Sequence, residues 1–224
     1  MSPPPRQRQR QRRSLSMPRS PGKVIADGPR ELAEPLVDAL KAAVEHHDVA
    51  ETLTHPFHSY PARLHPATAR GLAELLAGRA PRDSLMVDPF CGSGTTLVEA
   101  RAAGLRAVGT DLNPLAVLVA RAKTWTVPPK RRNQLRDTGT VIAGQALEAG
   151  KAARRSGAEP APMRKPKGFD PNARNRKLAA WFAPHVRREL ELIASLIDEL
   201  RADDPELADI VTACLSAILY KVSS

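Results

Sequence analysis

The sequence predicts an α/β fold built on one strand–loop–helix–strand unit in the middle of the chain. An apolar run at 85–88 ends in a carboxylate, a loop with two glycines follows at 89–94, and a helix-forming stretch starts at the hydroxyl residue Thr95. After Gly104, the run 105–111 has the composition of a second short strand that also ends in an acid. A strand, a helix and a second strand in this order are typical of a βαβ unit with parallel strands.

The glycine loop has the chemistry of a ligand-binding turn. Gly92 and Gly94 allow backbone dihedrals that a Cβ would forbid, and they let a ligand approach main-chain N–H groups at the positive end of the following helix. A carboxylate or a phosphate would suit that position. Dinucleotides, nucleotides and S-adenosylmethionine all bind to turns of this kind, so the loop alone leaves three classes of ligand open.

Three details of the sequence bear on these classes. A P-loop needs Lys and then Ser or Thr after its last glycine, whereas Gly94 is followed by Thr95-Thr96. The dinucleotide fingerprint has a small residue three positions after its second glycine, where this chain has Leu97. Asp111, about 20 residues beyond the loop, stands where a strand-end acid meets ribose hydroxyls in a βαβ unit. The alternative for Asp111 is an acid that only caps the helix beginning at Pro114.

The run Asp88-Pro89-Phe90-Cys91-Gly92-Ser93-Gly94-Thr95-Thr96 resembles the S-adenosylmethionine-binding motif of DNA amino-methyltransferases, which modify adenine N6 or cytosine N4. Asp111-Leu112-Asn113-Pro114 is similar to the Asp-x-Asn-Pro of the same family. The segment 54–66 resembles the His-x-Tyr-Pro-Ala segment that precedes the loop in some members. The resemblance covers roughly residues 52–224. It implies a partial Rossmann-like S-adenosylmethionine-dependent methyltransferase fold with extra helices, and S-adenosyl-L-methionine as the cofactor.

The resemblance also implies which residues hold the cofactor. Asp88 and the loop from Gly92 to Thr95 are expected around its methionine end, and Asp111 at its ribose. Tyr60 and Phe57 are the candidates for a wall of the pocket. The full set of expected cofactor-binding residues is Asp88, Pro89, Phe90, Gly92, Ser93, Gly94, Thr95, Asp111, Asn113 and Tyr60.

No catalytic residue is predicted in this chain. Amino-methyltransferases use Asp, Asn or Ser followed by Pro-Pro and an aromatic residue, which together bind the amine and stack on a flipped-out base. The nearest sequence here, Val127-Pro128-Pro129-Lys130, lacks both the polar acceptor and the aromatic ring. We therefore expect the cofactor-binding N-terminal part of such an enzyme, truncated or split and inactive alone, with a second polypeptide as one source of the catalytic half.

Two other functions stay open at this point. Some RNA methyltransferases also carry Asp-Pro-x-Cys-Gly-Ser-Gly, but they usually have an RNA-binding domain before it, and only about 80 residues precede the motif here. The pair Thr95-Thr96 favours the DNA enzymes. A non-catalytic remnant that binds nucleic acid or a partner protein is the other alternative.

The distribution of charge predicts a nucleic-acid partner, with DNA as the expected one. The net charge is +10, and residues 1–26 contain seven cations and no acid, while residues 151–177 contain nine cations and two acids. We expect a disordered basic tail over 1–28, a methyltransferase domain over 29–224, and within it a basic loop with Pro and Gly at about 154–176.

Other bulk features concern location and metals. The 224 residues, 42% of them hydrophobic, suffice for one domain with a core plus a tail. The sequence has no apolar run of membrane-span length and no signal peptide, so a cytoplasmic bacterial protein associated with the nucleoid is expected. Cys91 and Cys214 lack metal-ligand spacing, and prolines separate His55, His58 and His65, so no metal site is expected.

Helical periodicity predicts the remaining elements. One amphipathic helix is expected over 29–50, with an apolar stripe that faces the core, and another over 67–76, ended by Gly78. A later helix is expected at Pro114–Lys123, and another follows Arg132 and runs to about Ala153. Two more are expected, one after Pro184 and one after Asp204-Pro205. The apolar stripe of the helix over 29–50 is Leu32, Leu36, Leu40 and Val44. The stripe of the helix after Pro184 is Leu190, Ile193, Ile197 and Leu200, and that of the last helix is Leu207, Val211, Cys214, Leu215, Ile218, Leu219 and Val222.

Overall fold

The computed structural model describes residues 23–61, 63–81, 83–156 and 181–222. Contacts divide the chain into two compact units, Met1–Ala120 and Arg121–Ser224. Most of the expected basic tail and most of the expected basic loop lie outside the described residues, so both stay predictions. Among the described helices, none is long and apolar enough to cross a membrane.

The described part of the first unit has two helices, then a β–α–β unit, then the greater part of a further helix. Two short 3-10 turns, His47–Glu51 and His55–Phe57, lie between the first two helices. The elements in chain order are α1 (Arg30–Glu45), α2 (Pro66–Ala77), β1 (Leu85–Asp88), α3 (Thr95–Ala102), β2 (Arg106–Gly109) and α4 (Pro114–Lys123).

The two strands pair in parallel, with Leu85 opposite Arg106 and Asp88 opposite Gly109. The predicted strand–loop–helix–strand order is therefore confirmed, and the structure is a mixed helical fold with a small parallel sheet. Asp88 is the last residue of β1, and Asp111 lies two residues beyond the end of β2. Both acids consequently lie at the carboxyl end of the sheet, where ligands bind in parallel α/β folds.

The two faces of the sheet differ. On one face, Met86 and Ala107 pack against a small apolar cluster formed by Cys91, Leu97 and Ala120. The alternation of side chains along a strand places the neighbouring residues on the other face. The large apolar side chains there, Leu85, Val87 and Val108, are exposed. The cluster of the first face thus joins the sheet to the glycine loop and α3.

The prediction for the first helix was wrong in two respects. α1 ends at Glu45 and a 3-10 turn follows, and the stripe Leu32, Leu36 and Leu40 is 45%, 42% and 52% exposed instead of buried. The buried side chains of α1 are Ala39 and Ala43. A Cβ on Gly71 of α2 would lie 2.9 Å from Ala39 Cβ, so the two helices approach through small residues and leucines do not fit between them.

The described residues of the second unit form helices α5 (Pro129–Ser156), α6 (Pro184–Asp203) and α7 (Pro205–Val222). Asp204 caps α7 by accepting the N–H of Leu207 at 3.0 Å. The core of the unit is formed by Ile142, Ile197, Ala208 and Val211, with Leu135, Ile193, Leu196, Leu200 and Leu215 packed against it. The predicted stripes of the last two helices are confirmed where they meet this core, although Ile218 is 46% exposed.

Candidate cofactor site

The glycine loop, residues 89–94, is anchored to the ends of both strands. Cys91 N–H donates to the carbonyl of Thr110 at 2.9 Å, and Thr110 N–H donates to the carbonyl of Asp88 at 3.0 Å. The hydroxyl of Thr110 donates to the carbonyl of Pro89 at 3.0 Å. These bonds connect the loop to the chain that follows β2, so the loop and Asp111 occupy one site, as the spacing predicts.

Both glycines of the loop have the left-handed backbone that the sequence predicts for them. Gly92 has φ +49° and Gly94 has φ +78°, and Gly94 is the N-cap of α3. A Cβ on Gly94 would lie 2.9 Å from Ala120 Cβ, whereas a Cβ on Gly92 would have no neighbour within 4 Å in the described part of the chain. Gly94 is therefore required by conformation and packing, and Gly92 leaves the loop backbone open to an approaching group.

Sequence reasoning missed a third glycine, Gly109 at the end of β2. A Cβ there would lie 2.6 Å from Cys91 Cβ and 2.8 Å from Leu97 Cδ1. The strand thus touches both the loop and α3 at this residue, and no larger side chain fits. The feature of the sequence that could have indicated this contact is a residue without a side chain at the end of the second strand, on the side that faces the loop.

Two carboxylates shape the loop. Asp88 accepts the N–H of Phe90 at 3.0 Å with one oxygen and the hydroxyl of Thr96 with the other. Asp111 accepts the N–H of Gly92 at 2.9 Å and the N–H of Asn113 at 2.8 Å. Each carboxylate has about four lone-pair positions, so Asp111 retains acceptor capacity for ligand hydroxyls.

The alternative role of Asp111, as the cap of α4, is filled in the structure by Asn113. The side-chain oxygen of Asn113 accepts the N–H of Leu115 at 3.0 Å, so Asn113 caps α4. Its side-chain nitrogen donates to the hydroxyl of Tyr60 at 2.9 Å. The structure therefore brings Tyr60, Asn113, Asp111 and Gly92 into one hydrogen-bonded series.

The other residues expected at the cofactor site differ in how far they are exposed. Phe57 is half-buried in its 3-10 turn. Pro89 and Phe90 are exposed, and the Phe90 side chain is 84% exposed. Ser93 and Thr95 are buried, at 3% and 4% exposure.

The hydroxyls of Ser93 and Thr95 are both buried and have no hydrogen-bond partner among the residues that the structure describes. A buried hydroxyl without a partner is costly, by about 1–3 kcal/mol, so such groups usually indicate a missing ligand or water. The first turn of α3 adds backbone N–H groups and the positive end of a helix. This set of donors and acceptors fits a ligand with a carboxylate at one end and ribose hydroxyls at the other.

Behind the loop, a buried polar cluster joins three segments of the chain. His55 and Glu99 are 0% and 1% exposed, and His55 Nε2 lies 2.7 Å from Glu99 Oε1. Arg70 Nε donates to Glu99 Oε2 at 3.1 Å. Burial raises the pKa of Glu99, but the hydrogen bonds from His55 and Arg70 outweigh it, so the pKa lies below its usual 4.5. The sequence analysis did not predict this cluster. The feature that could have indicated it is a single acid, Glu99, among the apolar residues of α3.

The histidine-rich segment has a structural role. His65 Nδ1 accepts the N–H of Ala67 at 3.2 Å and so caps α2. Burial, followed by the nearby His47, Arg63 and His55, lowers the pKa of His65 below 6.5. In the described part of the chain, no group of three His, Cys, Asp or Glu residues is arranged to hold a metal ion.

Comparison with known proteins adds one family and several relatives. A family model described as DNA methylase matches residues 46–121, which contain the whole site described above. The chain is 33% identical over 153 residues to the Type II methyltransferase M.MvaI of Kocuria varians. It is 38% identical over 69 residues to the tRNA (guanine(10)-N2)-dimethyltransferase of Methanothermobacter thermautotrophicus. It is 44% identical over 39 residues to the Type II methyltransferase M.MjaII of Methanocaldococcus jannaschii.

These matches cover only part of each protein. The match to M.MvaI includes 68% of this chain and 31% of that relative. The match to the tRNA enzyme covers 31% of this chain and 20% of that enzyme, and the match to M.MjaII covers 17% and 7%. Among solved structures, the comparison finds no significant match.

Proposed function

Since this chain belongs to the family of N6/N4 DNA methyltransferases, we propose that it binds S-adenosyl-L-methionine at the glycine loop and serves methylation of adenine N6 or cytosine N4 in DNA. The observation that supports this most is the pair of buried, unpartnered hydroxyls of Ser93 and Thr95 beside the open backbone at Gly92. A ligand carboxylate would accept hydrogen bonds from these hydroxyls and from the first turn of α3.

Each part of the site has a proposed role. Gly92, Ser93, Gly94 and Thr95 surround the methionine end, with Asp88 holding the loop in shape. Asp111 accepts hydrogen bonds from the ribose hydroxyls, and Tyr60 and Asn113 form one rim of the pocket. Pro89 and Phe90 extend the exposed edge of the loop beside it. The sheet and its helices then form part of a Rossmann-like methyltransferase fold.

The bound cofactor would supply an activated methyl group, and this chain would bind and orient it. We propose that the residues that bind the target amine lie outside these 224 residues, with a second polypeptide as one source, since the sequence lacks the polar residue followed by Pro-Pro and an aromatic ring. The basic segments 1–26 and 151–177 would add salt-dependent affinity for DNA phosphates, and the proposed site of action is the DNA in the cytoplasm.

Calorimetric titration with S-adenosylmethionine tests the cofactor site. Asp111→Ala is expected to weaken binding by about 1–3 kcal/mol, because charge-assisted hydrogen bonds to the ribose are lost. Asp137→Ala is the matched control, since it removes an acid that is 72% exposed on α5. Equal affinities of the wild type and Asp111→Ala would contradict the assignment of Asp111.

A single-turnover assay with methyl-labelled cofactor tests the substrate. DNA is expected to be labelled when the chain is combined with a polypeptide that carries the catalytic motif, and the chain alone is expected to transfer no methyl group. The similarity to the tRNA dimethyltransferase favours RNA as the second candidate substrate. Transfer of the methyl label to tRNA and not to DNA would support that candidate. A protein that binds the cofactor but labels neither under any condition would be the non-catalytic remnant.

A further inference from the structure

We propose that His55 and Glu99 are positioning residues of the cofactor site, because their buried contact holds Tyr60 and the start of α3 on either side of it. The proposal rests on the proposed function, since it assumes that a ligand binds between these two parts. Neither residue is among those expected to touch the cofactor.

The contact is an unusual way to fill this space. Glutamate is almost never completely buried unless it is paired, and a buried ion pair is often no more stable than apolar side chains of similar volume. His55 is nevertheless 0% exposed and Glu99 1% exposed, with Arg70 on the second carboxylate oxygen. A directional contact of this kind fixes one alignment between the segment around His55 and α3, which apolar packing would fix less strictly.

On one side, the contact fixes the turn that presents Tyr60. The carbonyl of His55 accepts a hydrogen bond from Arg63 Nη1 at 3.0 Å, so the chain between these two residues is closed by a side-chain bridge. Within this bridge, Tyr60 N–H donates to the carbonyl of His58 at 3.0 Å. The Tyr60 hydroxyl then meets Asn113 at 2.9 Å. The position of Tyr60 beside Asn113 consequently depends on the anchoring of His55.

On the other side, the contact fixes α3. Glu99 lies four residues after Thr95, which is one helical turn, and Thr95 begins the helix with its hydroxyl buried and unpartnered. One carboxylate therefore connects the helix that starts at the loop with the segment that carries Tyr60. If either end of this connection is lost, the distance between the two walls of the pocket is no longer fixed.

A double-mutant cycle in cofactor affinity tests this role. S-adenosylmethionine binding is measured by calorimetry for the wild type, His55→Gln, Tyr60→Phe and the double variant. Each single variant is expected to weaken binding about tenfold, the effect of losing one well-formed hydrogen bond. Because His55 acts through Tyr60, the double variant is expected to bind no more weakly than the weaker single variant.

A purely structural role of His55 would give a different result. His55→Gln would then lower the melting temperature while the folded protein bound the cofactor as the wild type does, and this outcome would overturn the proposal. Additive losses in the double variant would overturn it as well. If the wild type itself binds no S-adenosylmethionine, the proposed function fails and the positioning role fails with it; if the wild type binds and His55→Gln binds equally, only the positioning role fails.

Two further variants complete the design. Arg63→Ala removes the bridge to the His55 carbonyl from a half-buried position, and it replaces His55→Gln in the cycle if that variant does not fold. It is expected to weaken binding and to show the same non-additivity with Tyr60→Phe, and additive losses would again overturn the proposal. His46→Gln is the matched control, because His46 is an exposed histidine just after α1 and its replacement should leave affinity unchanged.

Discussion

The two compact units of this chain are held together by different chemistry. The first unit buries a glutamate, two histidines and the hydroxyls of its glycine loop, and it relies on glycines where its elements meet. The second unit has an apolar core of Ile142, Ile197, Ala208 and Val211. It buries one charged residue, Lys123, among those that the structure describes, and its arginine–carboxylate pairs lie nearer the surface. Buried polar groups and strained backbone are concentrated at functional sites, since plain packing does not need them.

The ion pairs show the contrast most clearly. In the first unit, the carboxylate of Glu99 is 1% exposed and bonds to both His55 and Arg70. In the second unit, Asp209 is 25% exposed and pairs with Arg201 at 2.5 Å and Arg121 at 3.4 Å, and both arginines are more exposed than the acid. Solvent screens such surface pairs and makes their net contribution small.

Removing each acid should therefore have unequal consequences. Glu99→Ala is expected to lower the free energy of unfolding by about 3–5 kcal/mol, because it leaves the buried His55 and the partly exposed Arg70 without their carboxylate. Asp209→Ala is expected to cost at most about 1 kcal/mol. Chemical denaturation of both variants measures this difference, and equal losses would mean that the contrast between the two units does not exist.

Glycines provide a second and smaller contrast. Gly109→Ala is expected to destabilise the protein by about 1–3 kcal/mol, because its Cβ would collide with Cys91 and Leu97. Gly144 on α5 has no neighbour within 4 Å of the same position, so Gly144→Ala is expected to stabilise the helix by about 1 kcal/mol. Thermal melts of the two variants should shift in opposite directions, and two shifts of the same sign would contradict the close contact at Gly109.

The pH dependence of stability gives the smallest expected difference. The folded protein lowers the pKa of His65, so the unfolded chain binds more protons, and stability falls as the pH drops below about 6.5. The pKa of Glu99 is also lowered, so its contribution is present above pH 4.5 and is lost at lower pH. In the second unit, Arg131 holds the pKa of Asp204 below 3.8, so that contribution persists to lower pH.

Urea denaturation at pH 7.5 and pH 5.5 measures the histidine effect. The wild type is expected to be less stable at pH 5.5, and His65→Asn, which can still cap α2, should show a smaller loss. An unchanged difference between the two pH values in His65→Asn would assign the effect to other groups.

The sequence could predict those features of the fold that are determined by residues close together in the chain. The strand–loop–helix–strand unit, the conformations of Gly92 and Gly94 and the starts of α4, α6 and α7 depend on neighbouring residues, and all were predicted. The exposed leucines of α1 could not be predicted, because their exposure depends on the contact between Gly71 and Ala39 of different helices.

The same reason explains what was missed at the candidate site. The contact between His55 and Glu99 joins residues 44 positions apart, and the need for glycine at 109 arises from packing against Cys91 and Leu97. The residues expected to bind the ligand could be named from the sequence because they follow one short motif and one strand end. The residues proposed to position them could not, since they are distributed over α2, α3 and the 3-10 turn.

The most direct test of the central claim is an NMR titration of the ¹⁵N-labelled chain with S-adenosylmethionine. As cofactor is added, we expect shifts or broadening of the amide signals of Gly92, Ser93, Gly94, Thr95 and Asp111, while those of Ile142, Ile197 and Val211 in the second unit remain unchanged. An absence of any shift at millimolar cofactor, or shifts confined to the second unit, would contradict the assignment of the glycine loop as the cofactor site.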